Sequence, residues 1–218
     1  LSLHDALPIL RFGTGAKFPA RYQQAFYMMD WSYGRISVVH LKEAGAGYEA
    51  SAETLLRGKP LNVTDLEIGR DGAMYFTTGG RGTQSGLYRV TYTGTESTAP
   101  AIPGAGEASA RSARELRRQL ESYHGGVKPG AVEAAWPHLR SHDRWLRYAA
   151  RIAIESQPVD SWKEKALSEQ DPVGGLQALL ALSRVGGREL QEPVLKTLAR
   201  WPLTTLDEEQ KLVKLRVI

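Results

Sequence analysis

The chain has 218 residues, 42% of them hydrophobic, with 28 Lys and Arg against 24 Asp and Glu and no cysteine. That apolar content is enough for one or two cores, while the missing thiols exclude disulfides, zinc–thiolate sites, iron–sulfur clusters and covalent c-type haem from this segment. No apolar run approaches the roughly 18 residues of a membrane span, and the mild, interleaved net charge of +4 does not point to the basic face that a nucleic-acid partner requires.

Residues 1–10, LSLHDALPIL, lack both the basic start and the uninterrupted apolar stretch of a signal peptide. They fit nothing that follows and are read as a non-native segment outside the fold, with a true N-terminal strand as the alternative. A turn-rich stretch with Gly13, Gly15 and Pro19 leads to QAFYMMDWSYGRISVVHL, and Gly47 to Leu56 then alternates polar with apolar residues. From Val63 to Tyr92 the pattern predicts three antiparallel strands. Thr64, Leu66 and Ile68 alternate with Val63, Asp65 and Glu67, the period-two pattern of a two-faced strand. Asp71-Gly72 supplies a tight hairpin into a second strand, Ala73 to Thr78. A Gly-rich loop, Gly79 to Gly86, then leads into a third strand from Leu87 to Tyr92.

Set Ala25 on Ala73 and AFYMMD lies over AMYFTT, while ISVVHL lies over LYRVTY. A period of roughly 40–50 residues with several short strands per unit is the signature of β-propeller blades. Blades bury their faces only against neighbours, so the expectation includes further blades upstream of Leu1 as partners of these two.

Thr93 to Ala110 is rich in Gly, Pro and small residues and reads as a linker. Beyond it the period becomes helical. Ser112 with Glu115 forms a capping-box pattern, Leu116, Leu120 and Tyr123 share a face, and His124-Gly125-Gly126 stops the helix. The clearest helix is Asp143 to Ser156, with Leu146, Ala149, Ala150, Ala153 and Ile154 on one face. A shift of 28 places Leu139, Asp143, Ala150, Ala153 and Ile154 on Leu167, Asp171, Ala178, Ala181 and Leu182, which suggests stacked helix pairs. Pro129, Pro158, Pro172, Pro193 and Pro202 punctuate helix ends, and Asp207 to Ile218 is a last amphipathic helix, its C-terminal end read as cut. The expected fold is therefore multidomain, β then α. It comprises a partial β-propeller of about two blades over 11–94, a linker over 95–110 and a HEAT-like α-solenoid over 111–218.

Propeller ligands sit where inter-strand loops converge. Here those loops carry Asp30, Trp31 and Tyr33, then Asn62, Thr64 and Asp65, then Arg81, Thr83 and Gln84. Arg81 among glycines can clamp an anion. Asp65 is expected to tie its own loop by accepting backbone N–H groups, and Trp31 either stacks on a sugar ring or covers a strand edge. GGRGTQSG is not a P-loop, since no Gly-Lys-Ser/Thr follows. His138 and His142 have helical spacing but no Glu completes a metalloprotease pattern, and no metal or catalytic residue is assigned. Arg111, Arg114, Arg117 and Arg118 read as a solvated, ion-paired face.

DLEIGRDGAMYFTTGGRGTQSGLYRV and the DWSYGRI loop resemble the last blades of glucose/sorbosone-dehydrogenase-like propellers, found in large secreted proteins of planctomycete-type bacteria. Those proteins follow the propeller with HEAT-like helices, as AWPHLRSHDRWLRYAARIAIESQPV and DPVGGLQALLALSRVG suggest here, and often with a c-type cytochrome domain. The resemblance implies a secreted or periplasmic parent that oxidises a sugar or alcohol with pyrroloquinoline quinone (PQQ) and passes electrons to a downstream haem. In that reading Arg81, Gln84, Asn62, Asp65, Asp30 and Trp31 are the cofactor-side positions. Asn62 and Thr64 stand where the family places basic residues on the quinone carboxylates, Ser32 stands near an expected lysine, and the catalytic histidine belongs to an early blade outside this chain. The segment alone is thus expected to hold no cofactor and to be inactive. The alternative is a non-catalytic binding module, presenting its strands and helices to a polysaccharide or a protein partner.

Overall fold

The computed structural model describes residues 9–80, 82–102 and 108–218, and the chain divides into two bodies. One comprises Leu1–Glu43 and Tyr48–Ala105, and the other Ala44–Gly47 and Gly106–Ile218.

The first body holds two open antiparallel sheets and one short helix. Strands β1 (Ile9–Phe12), β2 (Phe26–Asp30), β3 (Arg35–Ala44) and β4 (Gly47–Arg57) form the first sheet in that order, and α1 (Ala20–Gln23) lies between β1 and β2. Strands β5 (Val63–Ile68), β6 (Met74–Gly80) and β7 (Thr83–Val90) form the second. Ile9 and Leu10, grouped by sequence with the excluded segment, pair with Met29 and Met28; residues 1–8 lie outside the described residues. β5 packs on β1 and β2, so the two sheets share one core containing Phe18, Tyr27, Met29, Ile36 and Val38 from one side and Val63, Leu66, Met74 and Phe76 from the other.

The partial propeller is not what forms. Neither sheet is closed, and one has four strands where the other has three. The 48-residue repeat also fails on phase. It sets Tyr27 on Tyr75, yet Tyr27 is fully buried and Tyr75 faces partly outward, while Phe26 and Met74 show the reverse. In a strand, a match one step out of phase exchanges the two faces, so similar letters do not make equivalent strands. The three-strand meander is present, with two adjustments. A bulge between Val63 and Asp65 re-phases β5, so Val63 and Leu66 are both buried. The Gly-rich stretch is also no open loop: Gly80 pairs with Thr83, which carries the ladder nearly to its turn.

The hairpin at Asp71-Gly72 is fixed electrostatically. Gly72 has a positive φ of 81°, and the Asp71 carboxylate accepts from the Ala73 amide (3.1 Å), the Tyr75 hydroxyl (2.9 Å) and the Arg89 guanidinium (2.8 Å). Beyond β7 the chain is held rather than loose. The buried Gln23 side chain donates to the carbonyls of Phe18 and Ala99 (both 2.8 Å) and accepts from the Ala101 amide (2.9 Å).

The second body is helical: α2 (Ala108–Glu121), α3 (Ala131–Ala135), α4 (Arg144–Glu155), α5 (Lys163–Ser168), α6 (Pro172–Val185), α7 (Gln191–Leu198) and α8 (Glu208–Val217). Ser112 lies one turn inside α2 rather than capping it, because Ala108 to Arg111 already continue the helix upstream. Asp143 caps α4 through the amides of Trp145 and Leu146, and Asp171 caps α6 through Gly174. The 28-residue repeat therefore coincides with two equivalent caps, and Ala150, Ala153 and Ile154 are buried as Ala178, Ala181 and Leu182 are. A HEAT-like solenoid is nevertheless not what these helices build. In a solenoid each repeat touches only its neighbours, whereas α6 packs against the Trp136–Arg140 turn, α4, α5, α7 and α8 at once. Its apolar residues accordingly surround it instead of forming a stripe. The Gly174-Gly175 pair admits a neighbour at close range, and the Trp201 ring lies over Gly175. Helix α8 is not simply amphipathic either: Val213 and Val217 are buried, while Leu212 and Leu215 face outward.

Candidate functional site

In the first body the loops between β2 and β3 and between β4 and β5 meet around an open cleft of ≈ 560 Å³, lined by Ser32, Tyr33, Arg57, Lys59, Asn62 and Thr83, with Pro60 and Leu61 supplying an apolar side. The cleft exists because two backbone segments approach closely. Gly34 has φ 62° and its carbonyl accepts from the Gly58 amide at 3.0 Å. A Cβ at Gly34 would fall 2.6 Å from the Gly58 carbonyl oxygen, so only glycine fits there.

Of the residues singled out by sequence, Tyr33 and Thr83 line this cleft, and so does Asn62. Its amide donates to the Trp31 carbonyl (2.9 Å), while the Trp31 indole donates to the Gly79 carbonyl (2.9 Å). Trp31 and Asn62 thus tie the first sheet to the second. Asp30 is turned to its own loop: its carboxylate accepts from the Tyr33 amide (3.0 Å) and pairs with Arg35 at 3.1 Å. Asp65 accepts from the Leu66 amide (2.8 Å) on the exposed side of β5. Gln84 is exposed on β7 and does not line the cleft, and Arg81 lies outside the described residues. Among the five described positions of the expected cofactor side, Asn62 lines the cleft and Asp30, Trp31, Asp65 and Gln84 do not.

The sequence reading missed Arg57 and Lys59. Both are exposed and form no ion pair among the described residues, and with Tyr33, 74% exposed, they give the cleft its character. The Arg-Gly-Lys-Pro run was the available signal, two cations in a turn with no neighbouring acid. Tyr33 carries the Arg35 guanidinium 5.5 Å from its ring centroid, leaving the phenol otherwise open to solvent. The cleft can therefore offer an aromatic face, an amide, hydroxyls and two uncommitted positive charges.

No family model, curated protein or solved structure matches this chain. Among the described residues no helix is long and apolar enough to cross a membrane.

Proposed function

We propose that this chain is a non-catalytic binding module whose β body holds an acidic polysaccharide across the Tyr33–Arg57–Lys59 cleft. The observation that carries the reading is the pair of uncommitted cations beside an exposed aromatic ring. A uronate residue offers both complements, a carboxylate for Arg57 or Lys59 and an apolar ring face for Tyr33. Asn62 and the Ser32 hydroxyl supply polar partners for sugar hydroxyls. The cleft's open form suits a polymer passing through more than an enclosed small molecule.

The test is titration with polygalacturonate oligosaccharides, with neutral dextran as control. Binding should be saturable, absent for dextran and weakened by salt. Tyr33→Ala and Arg57→Gln/Lys59→Gln should each weaken it by about tenfold or more. Equal binding of dextran, or variants indistinguishable from the parent, refutes the assignment.

A second reading, a parent that oxidises a sugar with PQQ and passes electrons to a haem, draws on the same two cations, because that quinone is a polycarboxylate. Equilibrium dialysis of the chain against PQQ separates the two. Retention that Arg57→Gln/Lys59→Gln abolishes would favour the second. Either reading fits a secreted or periplasmic setting, where both ligands are met.

A further inference from the structure

The helical body carries a second surface with a different chemistry. Helices α4, α6 and α8 border a groove of ≈ 620 Å³, and an adjoining hollow of ≈ 230 Å³ shares His142, Arg147, Gln177, Glu209 and Val213 with it. The larger groove is lined by four arginines, Arg144, Arg147, Arg151 and Arg216, against a single carboxylate, Glu209. That carboxylate is taken, since Glu209 pairs with the buried guanidinium of Arg147, which also donates to the carbonyls of Ser141 and His142. Arg151 pairs with Glu155 and lies 5.3 Å from the Tyr148 ring centroid. Arg144 lies over Trp145 at 5.0 Å, and neither it nor Arg216 forms an ion pair among the described residues. Three large apolar side chains stand among these charges and face solvent: Trp145 (42% exposed), Tyr148 (54%) and Leu212 (63%).

We propose that this groove docks an acidic peptide segment of a partner protein, in which an apolar residue is flanked by carboxylates. Charge decides the sign of the partner. Two arginines are already neutralised by carboxylates of the chain itself, and the remaining two present the same guanidinium fork outward, where it suits a further carboxylate. The exposed aromatics and Leu212 decide the rest. Apolar side chains clustered at one place on a surface mark an interaction site, and Trp, Tyr and Arg are the residue types that dominate protein–protein hot spots. A nucleic-acid backbone would leave those side chains without an apolar partner, and two uncommitted cations are few for a polyphosphate. A neutral apolar peptide would leave Arg144 and Arg216 desolvated and unpaired.

The experiment uses the whole chain and fluorescence anisotropy with a fluorescein-labelled peptide that alternates glutamate with leucine. Saturable binding is expected, weakened about tenfold or more by Arg144→Glu/Arg216→Glu and by Leu212→Ser, all changes at exposed positions. Replacing the peptide's leucines with serine should cause a comparable loss, and replacing its glutamates with glutamine should abolish binding. Circular dichroism of each variant confirms that the helices persist. Four results overturn the proposal: no saturable binding, equal affinity for the serine peptide, tighter binding of a single-stranded oligonucleotide, or variants that bind like the parent. Concentration-dependent dimerisation in sedimentation that Arg144→Glu/Arg216→Glu abolishes also overturns it, because the groove would then serve a second copy of the chain.

Discussion

Replacing Gly175 by alanine tests the packing that organises the helical body. In an open helix the change is favourable by about 1 kcal/mol, because glycine gives up more backbone freedom than alanine on folding. Here a Cβ would fall 2.2 Å from Cη2 of Trp201 and 2.8 Å from its Cζ2, against the 3.4 Å or more of ordinary contact. The indole must retreat by more than an ångström, and it is a largely buried member of the core around α6. Overpacking costs about 1–3 kcal/mol, and a clash this deep against a buried ring belongs in the upper part of that range, about 2–3 kcal/mol, so the net effect is a loss of roughly 1–2 kcal/mol once the helical gain is set against it. Gly174 is the internal control, since its Cβ would meet only the ends of the Asp171 and Arg140 side chains, at 3.3 and 3.7 Å. Thermal unfolding followed at 222 nm should place Gly175→Ala roughly 3–8 °C below the parent and Gly174→Ala at or above it. In a Trp201→Leu background the penalty of Gly175→Ala should largely vanish, as coupled neighbours require. A Gly175→Ala protein that melts with or above the parent would refute the reasoning.

Two further expectations concern polar contacts. Gln157 is buried at the end of α4, where its side chain accepts from the Lys128 amide (2.9 Å) and donates to the carbonyls of Ala153 (3.0 Å) and Gly126 (3.2 Å). Gln157→Leu leaves those groups without partners and should cost about 1–3 kcal/mol, read as a lower denaturant midpoint at unchanged slope and as faster hydrogen exchange at Lys128. The second concerns pH. Arg89, the Ala73 amide and Tyr75 hold the Asp71 carboxyl down at about 2, below its ordinary 3.8. A depressed carboxylate contributes stability that is fully present above its unfolded value and is lost as pH falls toward the folded one. The β5–β6 hairpin and its tie to Arg89 on β7 should therefore be insensitive to acid above pH 4 and weaken between 4 and 2. Asp71→Asn should remove that dependence, with the Ala73 and Arg89 resonances followed by NMR. A parent hairpin that loosens already at pH 5 would contradict the assignment.

Local features read well from the chain because they depend on neighbours a few residues apart. The buried face of α4 follows from the spacing of Leu146, Ala149, Ala150, Ala153 and Ile154, whereas the caps that form are Asp143, Asp171 and Asp207 and not the expected Ser112. Asp71-Gly72 turns a hairpin for the same local reason. The cleft was only half legible. Asn62 and Tyr33 stood out, but Arg57 and Lys59 join them only because the Gly34–Gly58 backbone contact brings the end of β4 to the start of β3.

What the sequence determined by itself was the change from period-two to helical patterning near residue 100, the Asp71-Gly72 turn and the buried face of α4, all set by short-range geometry. What only the tertiary structure decided was which faces meet. The offset-48 resemblance carried no information about phase, and Tyr27 and Tyr75 show that one step along a strand exchanges core for solvent. Equally, α6 became a hub rather than one rung of a stack because α4, α5, α7 and α8 all pack on it and Gly175 lets Trp201 lie against its backbone. A long-range contact of that kind leaves no period in the sequence to read.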